Sequence, residues 1–541
     1  MTAAVATSED FLQPPSGKEY PPRYRAPSAY APLHTFQLPK ADNRQYQQQY
    51  GDLYFLRLAK LKPAVEKVGR EAWEGFNIAE EKARKVERVL DVRQGELCWV
   101  VGTVYMDLPL KPNILDDVAH DNFAAAPPPR LTYLDPSNPD SIQVMLEDES
   151  GRLRLAGSLL RATHLVTGVI IAVLGTENSN GDFEVIDIKV PDLPLQPQRW
   201  ERASTDKIDQ KLNRVESTAK SSKIAFVSGL GMTGSAGDGL TLELLTEYLL
   251  GYTGVESEED TSPTRISRLV IAGNSLGEVE TLVRDVDTSN KKKNAPKKYG
   301  YDASSYNPSP IIQLDNFLSE ILPSIPITLM PGERDPANFS LPQQSIHRAM
   351  LPKARMYCSE GQPGSTDVEP GWFDNVTNPW EGYVDGWRLW GCSGQNVDDV
   401  LRYLDFSDED GNITEGEDGE TRIRVMEAML KWRCTVPTAP DTLWCYPFQT
   451  HDPFILQACP HIFFVGNQPQ FRTMVVESEP TFRLNGADSD MPDVSDDQLN
   501  SRVRLVSLPK FHETGELVLV DSETLEVEVV KFQLFTENEG E

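Results

Sequence analysis

The stretch Leu329-Met-Pro-Gly-Glu-Arg-Asp335 decides how the second half of this 541-residue chain is interpreted. It completes the apolar run Ile325-Pro-Ile-Thr-Leu-Met330, and a run that breaks into Pro-Gly and then charged residues is typical of a buried strand followed by a loop. In open α/β sheets, loops at the carboxyl ends of strands usually bind the ligand or metal. Here the loop carries Arg334, whose guanidinium repels a cation. The loop therefore has the position of an active-site loop without its chemistry.

Three more apolar runs end in glycine turns of this kind. They lead into Ser228-Gly-Leu230, Gly273-Asn274 and Gly466-Asn-Gln-Pro469. In order, these turns resemble those of calcineurin-like phosphoesterases, which carry Asp-x-His, Gly-Asp, Gly-Asn-His and Gly-His-x-His there because two metal ions must activate a hydroxide and clamp a phosphate. The ligand positions are instead held by Ser228, Leu230, Asn274, Glu333, Arg334, Asn467, Gln468 and Pro469. The sequence predicts that this region binds no metal and no cofactor and has no catalytic residues.

Other candidate groups are better explained by structure. We interpret His451 and His461 as hydrogen-bonding structural histidines, and Asp335 as a turn-fixing carboxylate. Ser228 lacks the context of a nucleophile elbow. The glycine-rich stretch 229–239 resembles a phosphate-binding loop only weakly, because no Gly-Lys-Ser/Thr closes it, and a tight strand-to-helix turn is preferred.

The first half of the chain changes pattern twice. Residues 1–41, rich in Pro and Tyr, are expected to form a mobile tail. Apolar residues from Tyr46 to Leu61 recur at helical spacing, with Pro63 expected to break or kink the helix, and a second helix is predicted near 78–89. Strands are then predicted at 97–105, 142–146, 153–156, 168–174 and 183–188. Five short strands with one long connection suit an OB-type barrel.

Charge argues against nucleic acid as the main ligand of that barrel. The formal net charge is −30 and the sequence pI about 4.7, so the average field repels phosphates. Trp99, Tyr105 and Phe183 are candidates for base stacking, but the expected rims are acidic, and a protein-docking barrel is favoured. No apolar run is long enough for a membrane span, and the N-terminus lacks a secretory signal. The six cysteines show no C-x-x-C pair and are expected to be reduced, buried thiols.

The rest of the chain alternates strands and helices and ends in strands. A charged helix is predicted near 207–217, helices at 240–250, 311–322, 397–404 and 424–432, and strands at 387–390, 504–508, 516–520 and 525–529. This order favours a layered α/β sandwich. Four polar stretches, 256–263, 286–310, 405–420 and 485–501, are expected to be surface loops. In the second, Lys291-Lys-Lys-Asn-Ala-Pro-Lys-Lys298 is either a nuclear localisation signal or only a basic loop.

Several longer motifs, in order, resemble a known family. They are Ile271-Ala-Gly-Asn-Ser-Leu-Gly277, Leu329 to Asn338, Leu341-Pro-Gln-Gln344, Gly394-Gln-Asn-Val-Asp-Asp399, and Asp452-Pro-Phe-Ile with Cys459 to Pro469. From residue 42 onward the chain resembles the second (B, small) subunits of eukaryotic DNA polymerase delta. The resemblance implies N-terminal helices (42–94), an OB-type barrel (95–198) and an α/β sandwich of the calcineurin-like phosphoesterase type without metal ligands (199–541).

The same resemblance implies a function. The chain would be a non-catalytic scaffold in DNA replication and repair synthesis, located in the nucleus. Its partners would be the C-terminal cysteine-rich domain of the catalytic subunit and the third subunit, which links to the sliding clamp, with little or no direct DNA binding. The alternatives are an active metal-dependent phosphodiesterase or nuclease, and the second subunit of polymerase alpha or epsilon.

Overall fold

A computed structural model describes most of the chain: residues 25, 28–40, 44, 51–78, 81–112, 130–135, 137–138, 141–199, 222–235, 239–252, 263–277, 307–358, 372–404, 419–478 and 501–533. All structural statements below concern these residues. The helices there are α1 Gly51–Trp73, α2 Leu159–Ala162, α3 Gly239–Leu250, α4 Ser309–Ile321, α5 Gln395–Leu401, α6 Gly419–Lys431 and α7 Phe511–Thr514.

The strands fall into three groups along the chain. The first group is β1 Tyr30–Leu33, β2 Asn77–Ile78, β3 Glu81–Lys82 and β4 Arg84–Lys85. The second is β5 Cys98–Asp107, β6 Gln143–Glu147, β7 Arg152–Ala156, β8 Ile170–Glu177 and β9 Phe183–Lys189. The third is β10 Lys223–Val227, β11 Ile266–Ala272, β12 Ile327–Met330, β13 Phe373–Asn375, β14 Trp380–Val384, β15 Trp387–Cys392, β16 Ile462–Gln468, β17 Arg472–Glu477, β18 Arg502–Pro509, β19 Glu516–Asp521 and β20 Val527–Lys531.

Strands β5 to β9 close into the predicted barrel. Their order is β5-β6-β7-β9-β8, and β8 pairs back onto β5, with Val101 opposite Ala172. The last strand, β9, runs parallel to β7, and the short helix α2 precedes β8. This is the five-stranded Greek-key arrangement of an OB fold.

Strand β5 is apolar along its length because both of its faces are buried. Val100 and Val104 face the barrel interior, whereas Trp99 and Val101 pack against helix α1. Helix α1 buries Leu58, Leu61, Val65 and Trp73 on that face, at helical spacing. The outer wall of the barrel is therefore completed by the N-terminal helix.

Two predictions for this region are wrong, one of them in part. Helix α1 does not break at Pro63 but runs through it to Trp73, because Pro63 and Ala59 lie on the exposed side, where water can satisfy the Ala59 carbonyl that proline leaves unpaired. The second helix near 78–89 does not form. Instead β2 pairs with β3, β4 pairs with Cys98–Trp99 of β5, and Val89–Asp91 forms one 3-10 turn. Hydrogen bonds to the barrel edge outweigh local helix propensity.

The third group of strands, together with β1, forms two packed sheets. Their orders are β1-β14-β15-β16-β18-β17 and β13-β12-β11-β10-β19-β20. Residues alternate between the core shared by the two sheets and a core under the outer helices of each sheet. Phe226 and Phe464 meet between the sheets, with ring centroids 5.0 Å apart, while Val227 and Val465 each face the helices outside their own sheet. Helices α3 and α4 pack outside one sheet, and α5 and α6 outside the other. The predicted α/β sandwich is confirmed, with the final strands inside it.

The expectation of a mobile tail is wrong for part of residues 1–41. Strand β1 pairs with β14, Tyr30 opposite Val384, and Phe36 is only 2% exposed, packed against Trp390 and Phe454. Edge pairing and aromatic burial hold this segment, and its partners Val384, Trp390 and Phe454 all lie more than 300 residues further along the chain.

Several other expectations have mixed outcomes. The helix near 207–217, the Lys291–Lys298 run and most of the four polar loops lie outside the described residues. All six cysteines are free thiols, and all but Cys358 are buried. Within the described ranges, no helix has the length and apolar character to cross a membrane.

Candidate functional site

The carboxyl ends of five strands meet at one edge of the sandwich. Parallel pairing of β10, β11 and β12 places their ends together, and β15 and β16 of the other sheet end opposite them. The Gly229 N–H donates to the Gly273 carbonyl oxygen (2.9 Å), and the Asn467 N–H donates to Ser228 Oγ (2.9 Å). The turns selected from the sequence therefore do converge.

Glycine is required in these turns because the loops touch. Gly273 has φ +84°, and a Cβ there would lie 2.4 Å from Cβ of Ser393. A Cβ on Gly332 would lie 2.3 Å from the backbone nitrogen of Asn274. Both distances are shorter than the contacts that Cβ atoms make in proteins. The loops therefore lie directly against one another in the space between the strand ends.

Ser228 and Asn467 join the two sheets through hydrogen bonds. Ser228 is fully buried, and its hydroxyl donates to the Pro509 carbonyl oxygen (2.9 Å). Asn467 has φ +58° and donates from Nδ2 to the Ser393 carbonyl oxygen (2.7 Å). Its Oδ1 has no partner among the described residues. One neutral oxygen is too little to hold a metal ion.

The loop after β12 is fixed by Asp335, as predicted. Its buried carboxylate accepts hydrogen bonds from the backbone N–H groups of Gly332 (2.8 Å), Leu276 (2.9 Å) and Ser275 (3.2 Å). Burial raises the pKa of Asp335, while these N–H donors act to lower it. Asn274 completes the turn by accepting the Arg334 N–H on Oδ1 (3.1 Å). The carboxylate is thus used to hold the loop.

The remaining selected positions point away from a common centre. Leu230 is 1% exposed within the apolar core under helices α3 and α4. Gln468 donates to the Gly466 carbonyl oxygen and accepts from Arg422 of α6 (2.9 Å each). Glu333 and Arg334 are exposed, and Pro469 is half-buried. The residues present do not fit the two-metal site of a phosphoesterase.

A buried cluster of amides beside this edge was not singled out from the sequence. Asn378 donates to Oε1 of Gln343 (2.7 Å) and of Gln395 (3.0 Å), and Gln343 donates to the Gly332 carbonyl oxygen (3.2 Å). Gln343 and Gln395 do lie within motifs quoted above, but nothing in their local pattern indicates that they meet. The cluster ties three loops together without any charge.

The two histidines singled out from the sequence have the surroundings of structural residues. In the described part of the chain, no three or more His, Cys, Asp or Glu side chains are arranged to hold a metal ion. His461 is 6% exposed, and its Nδ1 accepts the Arg388 N–H (3.1 Å), as expected of a structural histidine. His451 is exposed and packs 5.4 Å from Phe448.

The aromatic residues of the barrel are mostly not available for base stacking. Trp99 is 4% exposed and packs on Trp73, 5.6 Å away, and Phe183 is fully buried in the barrel core. Tyr105 is half-buried, and its ring already contacts Lys111 and Arg152. These three rings therefore do not form the open stacking platform that single strands need.

Comparisons with known proteins agree on one family. Residues 49–188 match the family model for the DNA polymerase delta subunit OB-fold domain, and residues 224–473 match the model for the B subunits of DNA polymerases alpha and epsilon. The chain is 34% identical to the DNA polymerase delta small subunit of Saccharomyces cerevisiae, over 91% of each chain. It is 32% identical to that of Oryza sativa, over 90% of this chain and 93% of the other. DNA polymerase delta subunit 2 of Drosophila melanogaster is 30% identical, over 91% and 95% respectively. This chain belongs to the family of DNA polymerase delta small subunits.

Proposed function

We propose that this chain is a non-catalytic accessory subunit of DNA polymerase delta. It acts as a scaffold in the nucleus, in replication and repair synthesis. It holds the C-terminal cysteine-rich domain of the catalytic subunit and the third subunit, and through the latter it is connected to the sliding clamp. The single observation that supports the non-catalytic part is the strand-end edge, where Ser228 and Asn467 are hydrogen-bonded to the backbone and glycine turns fill the space between the strand ends.

The scaffold part is supported by family membership and by the surface. Relatives over about nine tenths of the chain are named as small subunits of this polymerase. The net charge of −30 favours basic protein segments over nucleic acid as partners. The barrel and the sandwich together offer a composite surface on which another subunit can rest.

Assembly is tested by co-expressing the tagged chain with the catalytic and third subunits. We expect all three to co-elute through size exclusion, and the other two to separate when this chain is omitted. Glu333→Ala should leave both assembly and polymerase activity unchanged, because Glu333 is exposed on the strand-end loop; Glu184→Ala, exposed on the barrel, is the matched control. Loss of activity in a fully assembled Glu333→Ala complex would reveal a catalytic site there.

Absence of catalysis is tested on the purified chain. Metal analysis should find no stoichiometric Mn²⁺, Zn²⁺ or Fe, and a phosphodiesterase assay no turnover. Arg334→His should not restore either property, because a two-metal site needs most of its ligands together and Leu230 lies in the apolar core. Two equivalents of transition metal per chain would overturn the proposal in favour of an active phosphoesterase.

A further inference from the structure

A surface segment beside strand β13 has a charge opposite to that of the whole chain. The stretch 336–358 contains no Asp or Glu but includes Arg348, Lys353 and Arg355, although the chain has 82 acidic and 52 basic residues. All three side chains are exposed. Lys353 donates from Nζ to the amide oxygen of Asn316 (2.7 Å), and within the described residues none of the three cations forms an ion pair. The segment is therefore a local positive surface on an acidic protein.

The fold holds this segment on a rigid support. It consists of two 3-10 turns, Arg348–Met350 and Ala354–Tyr357. Leu351, between the turns, is fully buried in the core under helix α4. The carboxylate of Asp315, on α4 and 3% exposed, accepts the backbone N–H of Lys353 (3.0 Å). Because the backbone is fixed before any partner arrives, binding here costs little ordering of the segment.

Exposed apolar side chains lie among the cations. Met350 ends the first turn and is 37% exposed, and Met356 in the second turn is 81% exposed. Trp372, 47% exposed, immediately precedes strand β13, which packs against the second turn. Arginine, methionine and aromatic residues are enriched in protein–protein interfaces, whereas acidic residues are depleted there. We call this surface the basic patch; its members are Arg348, Met350, Lys353, Arg355, Met356 and Trp372.

The carboxylates near the basic patch are already used within the fold. Asp315 is directed at the backbone of the segment, as described above. Asp374, on strand β13, accepts the hydroxyl of Tyr30 (2.5 Å) and lies within electrostatic range of the buried cation of Arg268. The exposed cations therefore keep their charge available to a partner that brings its own carboxylates.

The small number of cations favours a short acidic protein segment over nucleic acid. A DNA duplex carries one negative charge per about 1.7 Å of its axis, so most phosphates of bound DNA would lie beyond the basic patch and face the acidic remainder of the chain. A peptide can instead place a few carboxylates on the cations and apolar side chains on the methionines and the tryptophan. The flexible thioether of methionine adapts to such side chains.

We propose that the basic patch docks an acidic segment with apolar side chains that belongs to another protein. Carboxylates of this segment pair with Arg348, Lys353 and Arg355, and the planar guanidinium groups allow bidentate bonds. Apolar side chains of the segment cover Met356 and Trp372. The proposed scaffold function concerns partners with basic segments, which the acidic surface attracts. The basic patch is therefore a separate docking surface for a partner of the opposite charge.

Binding of a probe peptide to the purified full-length chain tests this inference. The probe is a fluorescein-labelled peptide made of three repeats of Asp-Asp-Leu-Phe, and fluorescence anisotropy measures its dissociation constant. We expect Arg348→Glu with Arg355→Glu to raise this constant roughly tenfold or more and to leave the thermal midpoint unchanged, because both side chains are exposed. Lys60→Glu with Arg70→Glu, at two exposed positions of helix α1, changes the net charge equally and should bind as the wild type does.

Further probes separate this inference from its alternatives. Met356→Ser should raise the dissociation constant roughly threefold, because it removes exposed apolar surface. A peptide affinity that charge reversal leaves unchanged, or an oligonucleotide of twenty thymidylates that binds as tightly as the peptide, would overturn the inference. A wild-type chain that does not bind the peptide would overturn it too. If Glu360→Gln with Asp367→Asn and Glu369→Gln then restored binding, the occupant would be the chain's own acidic stretch.

The assembled polymerase separates this inference from the proposed function. The complex of this chain with the catalytic and third subunits should still bind the probe peptide. Loss of peptide binding on assembly would make the basic patch part of the scaffold interface and would overturn the inference. Failure of the three subunits to assemble would contradict the proposed function, whereas the inference would still be decided by the peptide affinities of the isolated chain and its variants.

Discussion

His461 connects strand β15 with the segment between barrel and sandwich. Its Nδ1 accepts the Arg388 N–H, and its ring lies 5.1 Å from that of Trp387. Burial, reinforced by the positive charge of Arg388, lowers the pKa of His461 to about 4, while a hydrogen bond to the Pro197 backbone acts in the opposite direction. The ring is therefore neutral in the folded chain at every pH above about 4.

This histidine should make folding sensitive to mild acid. Because the pKa is lower in the folded state than the unfolded value of about 6.5, the unfolded chain binds the proton first as the pH falls. The contribution of the neutral ring to the free energy of unfolding is at its full value above the unfolded-state pKa of about 6.5. We expect roughly 2 kcal/mol of this contribution to be lost between pH 7 and pH 4, after allowance for partial solvation. The difference between the thermal midpoints at pH 7 and pH 5 should be smaller in His461→Gln than in the wild type. The exposed His451→Gln is the control, and an undiminished acid response in His461→Gln would contradict the assignment.

Strand β1 is the element that connects the N-terminal segment to the sandwich. Tyr30 donates from its hydroxyl to Asp374, and its ring centroid lies 3.5 Å from the guanidinium carbon of Arg268. Arg268 is only 2% exposed, and burial lowers its pKa. The aromatic ring therefore covers a cation that water barely reaches.

Removing that ring should weaken the edge of the sheet. We expect Tyr30→Ala to cost about 3 kcal/mol, because it leaves a cavity and uncovers a buried charge. The thermal midpoint should fall, and amide exchange should speed up along β1 and β14 first. Tyr252→Ala, at a position 78% exposed, is the control and should change little. Equal effects of the two substitutions would mean that the Tyr30 ring contributes nothing to stability.

At the scale of the whole molecule, one buried ion pair joins helix α1 to the sandwich. Arg57 and Asp452 lie 2.9 Å apart with side chains 4% and 0% exposed. Asp452 also accepts the Phe454 N–H (2.9 Å), so it organises its own loop as well. Together with the Arg57 bonds to the loop 437–441, this pair sets how the helix and barrel sit on the sandwich.

Removing one member of this ion pair should destabilise the folded chain more than replacing both members. Asp452→Asn keeps the cap on Phe454 but leaves the Arg57 cation buried and uncompensated, which should cost roughly 3–5 kcal/mol. The double variant Arg57→Met with Asp452→Asn should recover part of that loss, as measured by thermal unfolding and amide exchange of α1. Glu71→Gln breaks the exposed Lys67–Glu71 pair and is the control, with an expected effect within about 0.5 kcal/mol. The single variant Arg57→Met completes the cycle, and strict additivity of the two single variants would contradict a coupled pair.

The sequence alone was sufficient to predict the elements whose own residues show an apolar pattern. The apolar run of β5 predicted a barrel strand, and the runs of β10, β11 and β16 predicted strands that end in glycine turns. Family motifs with wide coverage then predicted the order of barrel and sandwich. These features are local, because hydrophobic period and turn chemistry act within a few residues.

Only the tertiary structure decided the features that depend on distant partners. Strand β1 exists because β14, some 350 residues on, offers an unpaired edge, and β4 because β5 does. Helix α1 continues past Pro63 because its buried face rests on the barrel. The amide cluster of Gln343, Asn378 and Gln395 arises where separate loops converge. A polar or edge-strand residue has no periodic signal of its own, since its conformation is set by hydrogen bonds to groups that are far away in the chain.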